Sequence, residues 1–254
     1  MTNDSSLIDV WNSQYENSDD TAIKDKNYFN LEVNAIIEQI IKYVNKTNIS
    51  SLRILELGSG TGLLSSLITS SLSKKINCLC NYTGVDFSNI AVNKSNDRNI
   101  DNCQFVQNDF ITFLENNDEK FDIIISQRSI MALMDNESHI TLLQLCKSAL
   151  SNQGMGIFSE ATKQSFEKIQ ELRSELSIPP LKKVWHSCYL DENIFHKIFT
   201  SCEIFDFSST FWLITRVVYP YFEEPKHNSP IHKFAANLSQ TGKYGLTKLF
   251  VVQS

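Results

Sequence analysis

Residues 53–64 read RILELGSGTGLL, and this segment decides the fold. Its first half is a short apolar run, which predicts a buried β-strand. Glycines then stand at 58, 60 and 62, where the lack of a side chain lets the backbone turn tightly and approach a ligand. Helix-compatible sequence begins at Leu63. A strand, a glycine loop and a helix in this order present backbone N–H groups at the carboxyl edge of a sheet, where open α/β folds bind nucleotides.

The spacing of the glycines separates the known kinds of nucleotide loop. The dinucleotide fingerprint needs a final glycine or alanine, but Leu63 and Ser65 occupy that place in the two available registers. The Walker loop needs Gly-Lys followed by Ser or Thr, whereas the Gly-Lys pair at 242–243 is followed by Tyr244. The remaining pattern, ExGxGxG over residues 56–62, resembles the first motif of the class I S-adenosylmethionine-dependent methyltransferases.

This resemblance implies an α/β fold with a doubly wound, seven-stranded, mostly parallel Rossmann-like sheet. Residues 1–254 are expected to form one domain, with an N-terminal helical lid over 1–50. Residues 51–207 and 246–254 would form the core, and 208–245 a cap insertion before the last strand. That last strand would lie antiparallel between the fifth and sixth. Helical spacing of apolar residues places helices at 5–17 and 28–44, with a polar break at 17–20.

Acidic and aromatic residues at the ends of the next strands fit a cofactor site. Asp86 ends the predicted strand 82–86, and its carboxylate can accept two hydrogen bonds from the vicinal hydroxyls of a ribose. The resemblance implies that Asp109 meets the adenine amine while Phe110 packs on the ring; alternatively, Asp109 caps the next helix. The residues predicted to bind S-adenosylmethionine, with S-adenosylhomocysteine as product, are Tyr15, Glu56, Gly58, Ser59, Gly60, Gly62, Asp86, Phe87, Asn108, Asp109, Phe110 and Gln127.

Four aromatic residues precede the first strand, and two interpretations apply to them. They either pack as ordinary core residues or close as a lid over the ligand. They are Trp11, Tyr15, Tyr28 and Phe29.

The exit of the fourth strand, predicted at 121–126, is expected to lie beneath the reactive sulfonium. Arg128 stands there, and its planar fork of donors suits a carboxylate or phosphate on the acceptor, although an ion-paired surface arginine is the alternative. The catechol-type methyltransferases place metal-binding carboxylates in this region. Because no Asp occurs at this exit, we predict metal-independent chemistry and no metal ligands.

Two later segments supply candidates for the acceptor side. Residues 178–189 contain adjacent prolines and break the helical pattern, which indicates an acceptor-binding loop. Within it, His186 is the first candidate for a general base, with His139 second. In the insertion, Arg216, Tyr219 and Tyr221 are candidate acceptor contacts; the alternative role of the insertion is a dimer surface. The predicted catalytic residues are therefore Arg128, His186 and Arg216.

Composition limits the classes of partner. The formal net charge of −6 argues against a nucleic-acid partner, since phosphate binding depends on a surplus of Lys and Arg. Residues 1–20 lack the apolar core of a signal peptide, and no window approaches the roughly 20 apolar residues of a membrane helix. We therefore expect a cytoplasmic protein without membrane contact. The six cysteines are expected to be reduced thiols.

Three segments, around 11–15, 127–128 and 208–220, resemble a narrower branch of the family. Its members accompany bacterial surface-polysaccharide biosynthesis, including the O-methyl phosphoramidate decoration of capsule. The resemblance implies O-methylation of a small anionic (phosphate or phosphoramidate) or sugar-linked acceptor. The alternatives are a small-molecule N-methyltransferase and a non-catalytic S-adenosylmethionine-binding regulatory or scaffold subunit. We expect a monomer or homodimer.

Overall fold

Seven β-strands form a single sheet in the computed structural model, which describes residues 4–17, 24–76, 78–224 and 226–253. Apolar and β-branched runs form the central strands, as expected for strands covered on both faces. The strands are β1 (Ser51–Leu57), β2 (Leu79–Asp86), β3 (Cys103–Gln107), β4 (Phe121–Gln127), β5 (Leu150–Ala161), β6 (Ser201–Phe205) and β7 (Thr247–Gln253).

The strand order is β3-β2-β1-β4-β5-β7-β6. Strands β1 to β5 pair in parallel, and β7 runs antiparallel to both β5 and β6. The predicted fold class and the antiparallel insertion of the last strand are therefore confirmed. The order reverses at β1, and ligands of open α/β sheets bind in the crevice at such a point.

Helices cover both faces of this sheet. The apolar stripe of the longest helix packs with the helix after the glycine loop on one face. Both predicted N-terminal helices are present, while residues 18–20 of the predicted polar break lie outside the described residues. The helices are α1 (Asp4–Asn17), α2 (Lys26–Thr47), α3 (Leu63–Ile76), α4 (Asn89–Asp97), α5 (Phe110–Glu115), α6 (Asn136–Ala149), α7 (Lys163–Glu175), α8 (Asn193–Ile198), α9 (Ser209–Trp212) and α10 (Pro230–Ala236). Among the described helices, none combines the length and apolar character that a bilayer crossing requires.

The glycine loop joins β1 to α3 in a conformation that few other residues adopt. Gly58 has a φ of +75°, and a Cβ built on it would stand 2.3 Å from the Cβ of Ser129. A side chain here would therefore collide with the turn that follows β4. The close approach of these two segments brings the exits of β1 and β4 together.

The insertion between β6 and β7 begins as α9 and continues through a π-helical stretch, Leu213–Val218, and a 3-10 turn, Tyr219–Tyr221. Its second part is α10. The insertion contacts α2 and α7. Arg216 lies within this π-helical stretch. Because π-helical turns are frequent at functional sites, this position supports Arg216 as a candidate site residue.

Candidate active site

A cavity of about 740 Å³, partly open to solvent, lies at the carboxyl edge of β1, β2 and β4. We call it the cofactor cavity. The structure brings together here most of the predicted cofactor residues, namely Tyr15, Glu56, Gly58, Ser59, Gly60, Asp86, Phe87, Phe110 and Gln127. Residues that the sequence did not single out also line it, including Thr61, Leu64, Ser129 and Ala132.

Asp86 is the buried carboxylate of the cofactor cavity. Its Oδ2 accepts a hydrogen bond from the Gly60 amide at 2.9 Å, and its Oδ1 accepts one from the Ser88 amide at 2.9 Å. Burial raises the pKa of Asp86 to about 6, while these two amide bonds act in the opposite direction. The group is therefore ionised at neutral pH, and each oxygen keeps capacity to accept a further hydrogen bond from a ribose hydroxyl.

Glu56 connects β1 to its neighbours beneath the glycine loop. Its Oε2 accepts hydrogen bonds from the hydroxyls of Ser65, at 2.8 Å, and Tyr82, at 2.9 Å. Burial raises the pKa of Glu56 to about 8, against these two bonds and with a contribution from Asp86. Glu56 is consequently protonated at neutral pH and serves as a neutral hydrogen-bonding group at the cavity wall.

Three predicted cofactor residues lie outside the cavity lining. Asp109 caps α5, where its Oδ1 accepts from the amides of Ile111 and Thr112 at 2.9 and 3.0 Å, as the capping alternative expects. The side chain of Asn108 accepts from the Asp109 amide. A Cβ on Gly62 would stand 3.0 Å from that of Ser95, so this glycine allows the loop to pack on α4. A direct cofactor contact by these residues stays a prediction.

The first helix covers the cofactor cavity. Trp11 and Tyr15 line it from α1, and Phe29 lines it from α2. The hydroxyl of Ser88, next to Asp86, donates to the side chain of Asn12 at 2.6 Å and so ties α1 to the sheet edge. These three aromatic residues therefore line the cavity, and Phe29 also belongs to the buried core; closure of a lid over the ligand stays a prediction.

A second cavity, of about 1500 Å³ with its open part, adjoins the first, and we call it the acceptor cavity. Arg128 and Trp11 line both cavities. All three predicted catalytic residues, Arg128, His186 and Arg216, line the acceptor cavity, as does Tyr28. The two cavities thus meet at Arg128, which is the position that the sequence assigned to methyl transfer.

Other acceptor-side candidates lie elsewhere. The hydroxyl of Tyr219 donates to Glu223, and Tyr221 is exposed on the surface; neither lines a described cavity. His139 is fully buried, with its Nε2 2.9 Å from the carbonyl oxygen of Leu133. The geometry favours His186 over His139 as the general base.

Arg128 is held in place by Glu32, a fully buried carboxylate on α2. The Nε of Arg128 lies 3.1 Å from Oε2 of Glu32. The same oxygen accepts a hydrogen bond from the side-chain amide of Gln127 at 2.7 Å. The other oxygen accepts from the Ser159 hydroxyl at 2.6 Å. The sequence analysis did not predict a role for Glu32. The signal that could have revealed it is an acidic residue within the apolar stripe of α2. The ion-paired alternative for Arg128 is thus observed, and its guanidinium still lines both cavities.

A second buried carboxylate, Glu160, shapes the turn after β4. It accepts hydrogen bonds from the amides of Ser129, Ile130 and Met131 at 3.0–3.2 Å, and another from the Ser126 hydroxyl. Burial raises the pKa of Glu160 to about 7, while these donors oppose the shift. Sequence reasoning also missed this residue, because backbone donors leave no sequence pattern.

His186 contacts the edges of two indole rings. Its ring centroid lies 5.6 Å from that of Trp11 and 5.2 Å from that of Trp185. The Nδ1 atom is buried and has no hydrogen-bond partner among the described residues. Burial lowers the pKa of His186, and nearby Lys24 acts in the same direction. The lowered pKa favours the neutral imidazole, which is the form that can act as a base.

Arg216 is surrounded by Asp25, His227 and His232. Its Nη1 lies 3.1 Å from Nε2 of His232, and its Nη2 lies 3.5 Å from Nδ1 of His227. The Asp25 oxygen and the two imidazole nitrogens lie within 4.8 Å of one another, a spacing that a metal ion could use. The guanidinium is, however, directed at the same imidazole nitrogens that would bind a metal. In this structure the three residues hold the Arg216 side chain in place.

The sheet order, the glycine loop and the acid ending β2 together define a Rossmann-like methyltransferase fold. Consistent with this, a family described as a methyltransferase domain matches residues 48–203, well over half of the chain. The chain belongs to this family and is an S-adenosylmethionine-dependent methyltransferase. No curated protein sequence matches it.

Solved structures with the same fold include several small-molecule and peptide methyltransferases. The plantazolicin methyltransferase BpumL bound to S-adenosylhomocysteine has a TM-score of 0.56 at 18% identity, covering 100% of this chain and 91% of that one. The N-methyltransferase NodS from Bradyrhizobium japonicum, with the same ligand, has a TM-score of 0.56 at 11% identity, covering 97% and 96%. DhpI with this ligand has a TM-score of 0.56 at 14% identity, covering 80% and 90%. At these identities the likeness shows the fold.

Proposed function

We propose that this enzyme methylates an oxygen atom of a small anionic or sugar-linked acceptor bound in the acceptor cavity. The observation that carries the proposal is the meeting of the two cavities at Arg128. The cofactor candidates surround one cavity, and the acceptor-side candidates surround the other.

The charge of the acceptor cavity supports an anionic acceptor. Lys24, Arg128, Lys182 and Arg216 line it, and Asp25 is the carboxylate among its lining residues. The chain as a whole carries a formal charge of −6, so this positive wall runs against the overall charge. A cavity lined mainly by one sign of charge concentrates ligands of the opposite sign.

The cofactor cavity fits S-adenosylmethionine in its chemistry. Asp86 would hold the ribose hydroxyls, and Phe87 and Phe110 supply aromatic lining for the adenine ring. When bound, the cofactor supplies an electrophilic methyl group.

The residues at the junction would align the acceptor for in-line displacement. Arg128, fixed by Glu32, would orient an oxygen of the acceptor toward the cofactor cavity, and such alignment accounts for much of the rate in a bimolecular reaction. For a hydroxyl acceptor, His186 would take the proton. An already anionic oxygen would need no base, and Arg216 would then serve to hold the acceptor.

We further propose that the chemistry is metal-independent. The exit of β4 carries Gln127, Arg128 and Ser129 rather than carboxylates. At the Asp25 cluster, the Arg216 guanidinium supplies the positive charge that a metal would bring. Turnover in the presence of a chelator is expected to stay within twofold of the untreated rate, and a rate restored only by added metal would contradict this.

The biological setting is a narrower proposal. Modification of bacterial capsular polysaccharide, of the O-methyl phosphoramidate type, is supported by the sequence resemblance of residues 11–15, 127–128 and 208–220. Within this proposal the partner is a small molecule rather than a nucleic acid or a membrane, and the protein acts as a monomer or homodimer.

A methyl-transfer assay with labelled cofactor tests the proposed function. The acceptor panel should contain hydroxyl, phosphate, phosphoramidate and amine compounds, with His186→Gln and the surface variant His196→Gln as a matched pair. Oxygen-linked product, reduced in His186→Gln and unchanged in His196→Gln, is the expected result. Product on nitrogen alone would support the small-molecule N-methyltransferase. Cofactor binding without any turnover would support the regulatory or scaffold alternative.

A further inference from the structure

We infer that the acceptor is bipartite: a phosphate or carboxylate at one end is held by Arg216, and a hydroxyl at the other end is methylated beside Arg128 and His186. The inference rests on the proposed function and narrows its substrate class to hydroxyl acceptors, so that an oxygen of a phosphate or phosphoramidate is not the methylated atom. It also separates the anion that is recognised from the oxygen that is methylated.

Two aromatic rings stand between the two arginines. The guanidinium carbon of Arg128 lies 5.9 Å from the ring centroid of Tyr28, and that of Arg216 lies 5.5 Å from the ring of Trp212. The rings of Tyr28 and Trp212 meet edge to face with centroids 6.0 Å apart. All four side chains line the acceptor cavity. The two cations are therefore joined through a chain of two aromatic rings, with Arg128 at one end of this chain and Arg216 at the other.

The side chain of Arg216 is fixed by hydrogen bonds, unlike a mobile cation on the surface. Its Nη1 donates to the carbonyl oxygen of Thr215 and to His232, and its Nη2 donates to His227. A guanidinium has five N–H groups, so donors remain for a ligand after these three contacts. From the other side, the buried Arg173 donates to the backbone oxygen of Arg216 and thereby fixes its backbone.

Lysines add further positive charge to the acceptor cavity. Arg173 also donates to the carbonyl oxygen of Pro179, and Gln170 is bonded to both backbone groups of Leu181. These contacts tie the chain preceding Lys182 to α7, beside Arg216. Lys182 and Lys24 are exposed at their positions and line the cavity. An anion here would meet flexible cations as well as a fixed fork of donors.

The aromatic lining of the cavity and its junction with the cofactor cavity indicate the rest of the acceptor. Phe166 and Tyr189, with ring centroids 5.3 Å apart, line the acceptor cavity, as does Trp212. Such a wall suits a planar or ring-shaped body. His186, which also lines the cavity, would take the proton that a hydroxyl must lose. The class indicated is a hydroxylated ring compound bearing a phosphate or a carboxylate.

Binding of simple anions tests the Arg216 end without any catalysis. Phenyl phosphate and benzoate, which carry no hydroxyl, are titrated calorimetrically into the S-adenosylhomocysteine complex of the wild type, Arg216→Gln and Lys233→Gln. Lys233 is exposed on α10 and does not line the cavity, so its variant removes one positive charge from the same insertion. We expect the Kd of the better probe to rise at least tenfold in Arg216→Gln and to stay within twofold in Lys233→Gln. An equal Kd in wild type and Arg216→Gln would overturn the inference. The tighter probe identifies the anion as phosphate or carboxylate.

The position of the methyl group in the product tests the other end. Hydroxyphenyl phosphates and hydroxybenzoates are incubated with the cofactor, and the product is analysed by mass spectrometry and NMR. A methyl ether with the anion intact supports the bipartite acceptor. A methyl ester on the phosphate or carboxylate would overturn it, while the proposed O-methylation would stand. Failure of the proposed function would appear separately, as no oxygen-linked product on the whole acceptor panel.

Discussion

Replacing Glu32 by glutamine is expected to destabilise the protein far more than its place on a helix suggests. The carboxylate is fully buried and accepts hydrogen bonds from Gln127 and Ser159 while pairing with Arg128. Glutamine would leave the Arg128 charge uncompensated and turn an NH₂ group toward donors that need an acceptor. Removal of one partner from a buried pair costs about 3–5 kcal/mol. Because a fifth of the Arg128 side chain stays exposed, we expect the lower value, about 3 kcal/mol.

Thermal unfolding measures this effect. For a chain of this size, 1 kcal/mol corresponds to roughly 2–4 °C in Tm, so Glu32→Gln should lower Tm by about 6–12 °C. The matched control is Glu38→Gln on the same helix. Glu38 pairs with Lys42 at 2.8 Å, but both side chains are mostly exposed, so about 0.5 kcal/mol and a shift near 1–2 °C are expected.

The reasoning is refuted if the two variants melt within about 2 °C of each other. A double-mutant cycle with Arg128→Met adds a second check, since residues in one network are not additive. The double variant should lose less stability than the two single variants combined, because it leaves no unpaired buried charge.

Two further predictions concern titratable groups of the site. Asp86 has a pKa of about 6, raised by burial, and it must be ionised to accept hydrogen bonds from ribose hydroxyls. Cofactor affinity should therefore fall roughly tenfold between pH 7 and pH 5, and a flat calorimetric profile over this range would contradict the assignment. His186 has a lowered pKa and acts as a base in its neutral form, so turnover on a hydroxyl acceptor should be constant above pH 6.5 and decline at lower pH. His186→Gln should lower kcat by about 10²–10⁴-fold in steady-state assays while cofactor affinity stays unchanged; an unaltered kcat would remove His186 from the mechanism.

The parts of the fold that could be predicted are those written in contiguous sequence. The glycine loop follows its strand directly, and positive φ angles at Gly58 and Gly60 need residues of this type. Asp86 ends a clear apolar strand in the same way. These local features were sufficient to predict the sheet, the position of the cofactor cavity and its buried acid.

The parts that could not be predicted depend on partners distant in sequence. Glu32 stands in the apolar stripe of α2, but its role depends on hydrogen bonds from Gln127 and Ser159. These residues come 95 and 127 positions later in the sequence. Arg216 was identified as a candidate, whereas its support by His227 and His232 follows from the path of the insertion. Side chains in that segment lack a periodic pattern, which is why Tyr219 and Tyr221 could not be distinguished from Arg216.

Asp109 illustrates a different limit. An acid between a strand and a helix suits both a helix cap and a contact to adenine, and the two roles need the same residue type. The folded structure distinguishes the two roles, because Oδ1 of Asp109 accepts hydrogen bonds from the first amides of α5.

Calorimetric titration of S-adenosylmethionine into wild type and Asp86→Ala tests the central assignment most directly. Asp135→Ala is the control, since Asp135 is an exposed cap of α6 that accepts from the Ser138 amide and lines neither cavity. Loss of two hydrogen bonds to a charged group, about 1.5 kcal/mol each, should raise Kd by roughly two orders of magnitude in Asp86→Ala. Asp135→Ala should bind like the wild type. Wild-type affinity in a folded Asp86→Ala variant would show that the cofactor binds elsewhere.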